Sequence, residues 1–284
     1  SREGGDFFTT VRASRIPVYI FRYISSLRPI GSLLRNTWET SRLLKQINPH
    51  LIHSFHYNSD YSEPLSAKMA GIPWVFTKKN MSWGGSSQNS WKLRSTLANG
   101  IVIQNKDMRE RFYRNSNKVV QIPRGVDTSS FQPARAKPHI RKKMGTPANR
   151  RIILSVANML PVKGLELLTE AFYKLPHHHH QWTLWLVGEY NNPYGKHILD
   201  WVHRNDMENI IRFSGKITDV KAYLDHGELF VLPTKDEGRI EGTPVAMLEA
   251  MANGKVVVGS EVAGIKDQLE GCPEHLFEPG NVES

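Results

Sequence analysis

Two carboxylates, Glu241 and Glu249, stand on either side of seven residues, Gly242-Thr243-Pro244-Val245-Ala246-Met247-Leu248. An ionised carboxyl accepts two or more hydrogen bonds, each worth roughly 1.5–3 kcal/mol when charge-assisted, so such a pair suits sugar and ribose hydroxyls. The same spacing also fits a solvated loop residue followed by an exposed helical one. Thr243 has the character of an N-cap and Pro244 that of a first helical residue. Val245 to Met251 are good helix formers, and Gly254 ends the run. A helix beginning there presents the unpaired N–H groups of Val245 and Ala246 together with the positive end of its dipole, which suits a phosphate. A ligand with phosphate at the helix start could then meet one carboxylate on each side.

The elements around this stretch have the rhythm of an α/β sheet. Leu229 to Leu232 and Val256 to Gly259 are apolar runs of buried-strand type. Before them come strand Ile152 to Val156, helix Leu165 to Tyr173, strand Trp182 to Val187, helix Tyr194 to His203, strand Ile210 to Phe213 and helix Asp219 to Leu224; helix Ile265 to Leu269 follows. The first half repeats the pattern: strand Leu51 to His56, helix Ser62 to Ala70 closed by Gly71, strand Pro73 to Thr77, strand Ile101 to Ile103, helix Lys106 to Tyr113 and strand Val119 to Ile122. From Val18 to Ile47 apolar residues recur at mostly helical spacing, interrupted at Pro29-Ile30-Gly31 and punctuated by Arg22, Arg28, Arg35 and Arg42. Such a face is core or lies on an anionic membrane. Residues 1–17 carry no clear pattern. Pro, Ala, Lys and Arg without period mark 134–149 as a linker. The expected organisation is therefore an α/β protein of two Rossmann-like domains, 1–133 and 150–284, facing each other across a cleft that takes the ligand.

Composition narrows the function. The 284 residues suffice for two ordinary domains, and no window approaches the length of an uncharged membrane span. One cysteine, Cys272, excludes an internal disulfide and fits a reducing compartment, and no signal peptide is recognisable. The chain opens on Ser, so a fragment or processed product is expected. The net charge of +10 is uneven: 1–135 hold 20 Lys and Arg against 8 Asp and Glu, and the remainder 17 against 19. A basic first half fits nucleic acid, an anionic membrane surface, an anionic substrate, or simply a solvated surface.

Several chemistries lose support. G-x-G-x-x-G and P-loop motifs are missing, which argues against a dinucleotide dehydrogenase or a P-loop nucleotidase. The run His177 to His180 lacks the separated ligand pairs of a zinc site and reads as a solvated loop. His53 and His56 could be metal ligands or catalytic bases, but no Cys or carboxylate partner stands in ligand spacing, so a metal is not expected there. There is no Asp-x-Asp pair to hold a divalent ion on a nucleotide diphosphate, so phosphate chemistry would rest on protein cations and helix ends.

Glu241, seven residues, then Glu249-Ala250-Met251-Ala252 and a glycine resembles the paired-glutamate signature of family 4 retaining glycosyltransferases, the group 1 enzymes of GT-B fold. Ser155 to Leu168 is similar to the family's other donor-site segment, in which an arginine and a lysine hold the diphosphate. Lys163 matches the lysine, and Asn158 stands where the arginine usually is. Pro49-His50-Leu51-Ile52-His53-Ser54, Ile122-Pro123-Arg124-Gly125-Val126-Asp127 and Phe213-Ser214-Gly215-Lys216 resemble further family segments, the last one facing the nucleotide base. Arg124 replaces the usual Asn. The loop after Thr77 carries Lys79 where the family usually has a histidine near the reacting sugar. The family's glycine-rich first loop, opening strands and closing helix have no counterpart here.

The resemblance implies a metal-independent enzyme without cofactor that moves a sugar from a nucleotide-diphosphate donor, most often UDP, to a glycan or lipid-linked acceptor with retention of configuration. It assigns Glu241 to the transferred sugar, Glu249 to the ribose, and Lys163 with the Val245 and Ala246 amides to the diphosphate. Gly242, Thr243, Asn158 and Lys216 complete the donor side, and Lys79 and His53 fall on the acceptor or sugar side. The leaving phosphate takes the acceptor's proton, so no protein base is assigned. A basic, aromatic first half with Lys78, Lys79, Trp83 and Trp91 would meet the acceptor at the inner membrane face, the protein being cytoplasmic and peripheral. The alternatives are a GT-B epimerase or phosphorylase and a non-enzymatic nucleic-acid binder; recognisable nucleic-acid motifs are missing, so nucleic acid is not an expected partner.

Overall fold

The computed structural model describes residues 6–21, 29–56, 59–82, 88–175, 181–237 and 242–284. The strands form two parallel sheets, one of four strands and one of six. By internal contact the chain divides into two compact units, residues 1–76 with 83–100, and residues 77–82 with 101–284.

The first unit holds α1 (Asp6–Ala13), α2 (Ile30–Ile47), β1 (Ile52–Ser54), α3 (Ser62–Ala70), β2 (Trp74–Thr77, whose last residue belongs to the second unit) and α4 (Gln88–Leu97). β1 pairs in parallel with β2, His53 opposite Val75. Leu33, Thr37, Thr40, Ser41 and Leu44 form the buried face of α2, while Ile30, Leu34 and Trp38 are exposed. The sequence pattern suggested a single apolar face there; the helix instead buries small hydroxyl side chains and leaves a second apolar stripe in solvent. The part of that pattern in 22–28 lies outside the described residues. α3 ends where expected, at Gly71 in the left-handed region (φ 76°).

The second unit holds β3 (Gly100–Ile103, whose first residue belongs to the first unit), α5 (Lys106–Phe112) and β4 (Val119–Gln121), β3 and β4 running parallel. Then come α6 (Pro138–Lys143), β5 (Arg151–Val156), α7 (Leu165–Lys174), β6 (Trp182–Val187), α8 (Pro193–Arg204), β7 (Ile211–Phe213), α9 (Val220–Leu224), β8 (Leu229–Leu232), α10 (Val245–Ala252), β9 (Val256–Ser260), α11 (Ile265–Gln268) and β10 (Leu276–Phe277). The sheet order is β10-β9-β8-β5-β6-β7. Its central strands are mostly apolar because both faces are covered. Leu154, Trp185 and Phe230 pack against Met247, Ala250 and Leu224 on one face, and Ile153, Leu184 and Leu186 against Phe172, Ile198 and Val202 on the other.

Segment 134–149 is not structureless: it carries α6, and Ile140 and Met144 are buried in the first of those cores. Residues 101–133 join the second unit because they bond to it. Asn105 reaches Gly242, Lys106 and Asp107 reach α11, and the Phe131 carbonyl accepts from Asn253.

Candidate functional site

The strand order reverses between β5 and β8, and in open α/β sheets ligands bind outside the carboxyl ends of the strands at such a point. A cavity of about 580 Å³ lies there. Its walls come from Val156-Ala157-Asn158 after β5, Gly188-Glu189 after β6, Leu232 at the end of β8, Lys216-Ile217, and Val245-Ala246 at the start of α10. Asn158, Lys163, Lys216, Val245 and Ala246, all sequence candidates, therefore meet in one place. So does Arg124, which the sequence reading noted only as a departure from the family pattern. Arg124, Lys163 and Lys216 face one acid, Glu189, among the walls, and a volume of this order suits a nucleotide-sized ligand.

Lys163 is buried and closes a single 3-10 turn, Pro161–Lys163, whose last amide bonds the Leu160 carbonyl at 2.8 Å. Gly164 follows with φ 61°, and a Cβ on it would sit 2.1 Å from the Pro233 carbonyl oxygen, so only glycine allows this approach. The Lys235 amide donates to the Val162 carbonyl at 2.9 Å and fixes the turn to the end of β8. The Lys235 ammonium and the Tyr194 hydroxyl both bond the Glu166 carboxylate on α7. Burial, then that carboxylate, raises the Tyr194 hydroxyl above its ordinary range, and the Glu166 bond raises Lys235. Lys163 thus projects from a turn braced on both sides.

α10 begins one residue later than the capping pattern suggests. Pro244 is the N-cap, without a side-chain cap bond, and the Thr243 hydroxyl donates to the Gln104 carbonyl at 3.1 Å. Thr243 is thus a tether and not a cap, because a buried partner outcompetes the local amide. The consequence for Val245 and Ala246 is unchanged: they occupy the first turn, where amides lack helical partners. Glu249 lies one turn beyond Val245 on the same face and outside the cavity walls. Its carboxylate has no hydrogen bond or ion pair with another described residue, and partial burial raises its pKa. Glu241 lies outside the described residues.

Other candidates stand elsewhere. Lys79 takes part through its backbone, its carbonyl accepting from the Gly242 amide at 3.0 Å. His53 belongs to the first unit, its ring 4.0 Å from that of Phe55, and partial burial lowers its pKa. The expected basic, aromatic acceptor surface needs correction. Lys78 and Trp91 are buried, and Trp83 lies outside the described residues. The Lys78 ammonium donates to the Ser82 carbonyl at 2.7 Å and stands 4.2 Å from the centre of the Phe112 ring. Burial and then the Arg111 charge lower its pKa to about 7. The tract His177 to His180 is also outside the described residues. Among the described residues no group of three or more His, Cys, Asp or Glu side chains could hold a metal ion.

A second polar cluster, in the first unit, was not anticipated. Arg94 is fully buried; it donates to the Asp60 carbonyl and to Ser54 Oγ (3.0 Å), and lies 3.3 Å from Glu63 Oε2. His56 Nε2 is 2.6 Å from the same carboxylate oxygen. Burial would raise the Glu63 pKa, but the His56 bond and the Arg94 charge outweigh it and hold it below the ordinary value.

Comparison with known proteins follows this geometry. The fold is GT-B: a glycosyltransferase from Rickettsia africae superposes with a TM-score of 0.84 at 20% identity, over 99% of this chain and 75% of that one. Anabaena HepE in complex with UDP-glucose gives 0.78 at 21%, over 98% and 77%. The family model described as Glycosyltransferase Family 4 matches residues 2–130, and that described as Glycosyl transferases group 1 matches 150–284. The chain belongs to the group 1, family 4 glycosyltransferases. The UDP-Gal:alpha-D-GlcNAc-diphosphoundecaprenol alpha-1,3-galactosyltransferase of Escherichia coli is 24% identical over 97% of this chain and 73% of its own length. Other relatives, at 29–32% identity, are matched over only 35–39% of their length.

Proposed function

We propose that the chain carries the donor site and acceptor-side elements of a retaining glycosyltransferase, which moves a sugar from a nucleotide diphosphate, UDP-linked by preference, to a glycan or lipid-linked acceptor without a metal. The observation that carries this is the switch-point cavity, where Arg124, Lys163 and Lys216 gather beside the free first-turn amides of α10. Such an array matches a diphosphate, and Arg124 offers the second cation that Asn158 does not supply. HepE binds UDP-glucose, and the galactosyltransferase relative uses UDP-Gal and a diphosphoundecaprenol-linked acceptor; both support the donor and acceptor classes.

In the proposed reaction the bond from the sugar's anomeric carbon to the diphosphate breaks and one from an acceptor oxygen to that carbon forms. The acceptor's proton passes to the leaving phosphate. Lys163 and the Val245 and Ala246 amides stabilise the charge that grows on the diphosphate, an interaction stronger in the transition state than in the ground state. Glu249, half-buried with no cationic partner among the described residues, is kept for ribose hydroxyls, and Glu241 for those of the sugar.

The acceptor side faces a membrane in this reading. Ile30, Leu34 and Trp38 recur every four residues along α2 and are exposed, with Arg35, Arg42 and Lys45 exposed on the same helix. An apolar stripe with basic neighbours fits an anionic bilayer surface. No helix among the described residues is long and apolar enough to cross a membrane.

Calorimetric titration with UDP, GDP and ADP, with and without a divalent ion, tests the donor site. One nucleotide should bind without metal, and Glu249→Ala should weaken it by roughly 1.5–3 kcal/mol, the worth of charge-assisted hydroxyl bonds. Binding unaltered by that substitution removes Glu249 from the site, and a strict need for the ion overturns metal independence.

A further inference from the structure

The junction Gly242-Thr243, through which the chain enters α10 at the cavity, is held by residues far away in sequence. The Gly242 amide donates to the Lys79 carbonyl at 3.0 Å, the Gly242 carbonyl accepts from Asn105 Nδ2 at 2.6 Å, and the Thr243 hydroxyl donates to the Gln104 carbonyl at 3.1 Å. Asn105 is fully buried and uses both ends of its amide. Oδ1 accepts from the Met108 amide at 2.8 Å as the N-cap of α5, and Nδ2 serves Gly242. These two partners fix which end is nitrogen, since an amide donor needs the oxygen and a carbonyl needs the N–H. A Cβ on Gly242 would fall 2.5 Å from Gln104 Oε1 and 2.6 Å from Met108 Cε, so the backbone is pressed against these side chains with no room for another. The surroundings are braced as well: the Lys106 amide donates to Asp267 at 2.8 Å, Lys266 pairs with Asp107 at 2.9 Å, and Gln268 Nε2 donates to the Pro244 carbonyl at 3.1 Å.

We infer that Asn105 is a positioning residue for the donor site: its side-chain amide holds the Gly242 carbonyl, and through the two residues that follow it sets where the Val245 and Ala246 amides stand in the cavity wall. It touches no cavity atom and acts only through backbone. The functional half of this inference rests on the donor-site reading above; the mechanical half stands on the hydrogen bonds alone. A buried side chain that spends one group on a helix cap needs only an oxygen for that purpose, and serine would do. The second group of Asn105 is what the cap does not explain.

Two substitutions separate the roles. Asn105→Ser keeps a cap acceptor for Met108 and loses the bond to Gly242; Asn105→Ala loses both. Hydrogen exchange on the unliganded protein should quicken about tenfold at the Gly242 amide, which is bonded to the Lys79 carbonyl, in Asn105→Ser, the worth of one buried hydrogen bond, with α5 still protected. In Asn105→Ala, α5 should lose protection too and Tm should fall further. Affinity for the nucleoside diphosphate that the wild type binds should drop roughly three- to tenfold in Asn105→Ser. Unchanged exchange at the Gly242 amide overturns the inference, and so does faster exchange with unaltered nucleotide affinity. If the wild type binds UDP, GDP and ADP not at all, the donor reading fails on its own, and exchange still decides whether Asn105 holds the junction.

Discussion

The two polar clusters teach opposite lessons. In the first unit, Arg94, Glu63, His56 and Ser54 form a closed set: cation and carboxylate neutralise one another within 3.3 Å, and the guanidinium lies 4.5 Å from the centre of the Trp74 ring and 5.1 Å from that of Phe76. In the second unit, Arg124, Lys163 and Lys216 gather around an open cavity with one acid, and neither Arg124 nor Lys216 makes an ion pair with a described residue. A protein gains little from collecting like charges around a void unless something anionic fills it, whereas a compensated buried pair serves the fold. The basic residues of both sets lie on loops and helices of an α/β unit, and their surroundings distinguish them.

Breaking the closed set should have the largest effect. Arg94→Ala leaves the Glu63 carboxylate buried without its cation and should cost about 3–5 kcal/mol in urea denaturation. Glu63 has a folded pKa below its unfolded one, so its stabilising share is present above about pH 4.5 and lost as pH falls through the folded value. The variant should therefore lose stability less steeply on acidification than the wild type. A fall under about 1 kcal/mol would place Arg94 among ordinary surface cations and erase the contrast.

In the open set the effect should appear in rate. Lys163→Ala should lower turnover on a donor-acceptor pair by about 10²–10³-fold, as removal of a transition-state donor does, while changing donor affinity much less. Equal losses in affinity and turnover would mean uniform binding, and an unchanged rate constant would end the assignment.

The smallest effect concerns Lys78, a buried ammonium that donates to the Ser82 carbonyl. Its folded pKa of about 7 lies below the unfolded 10.5, so between these values the unfolded state binds more protons and stability rises with pH. Lys78→Met should abolish that rise, and Tm measured from pH 7 to 9 should climb in the wild type relative to the variant. Parallel curves would show that Lys78 stays charged in the fold.

Much of the architecture was written in local pattern. The apolar runs at Ile152 to Val156, Trp182 to Val187 and Leu229 to Leu232 identify doubly covered strands, because a sheet buried on both faces lacks regular polar alternation. Gly71 and Gly254 mark helix ends, since left-handed backbone costs glycine nothing. The spacing from Asn158 to Lys163, and the run Val245-Ala246 with a helix start before it, put these four residues of the cavity wall in one ligand site in advance. α4 escaped notice because Gln88-Asn89-Ser90 and Arg94 dilute its apolar face, and Arg94 is buried among the aromatic rings of β2 and α4 and the polar groups of Ser54, Asp60 and Glu63.

What local pattern could not carry is the partner chosen by a side chain with more than one option. Thr243 had a cap available and took the Gln104 carbonyl instead, 139 residues away. Arg124, on the turn after β4, became a cavity residue only once the chain had folded. The sequence by itself determined the strands, most helices, the family resemblance and the cations that could bind phosphate, because period, propensity and spacing act within a few residues. The tertiary structure alone decided which cations are neutralised and which line an open cavity, because charge compensation and hydrogen-bond choice depend on what packing brings within about 4 Å, and sequence distance does not encode that.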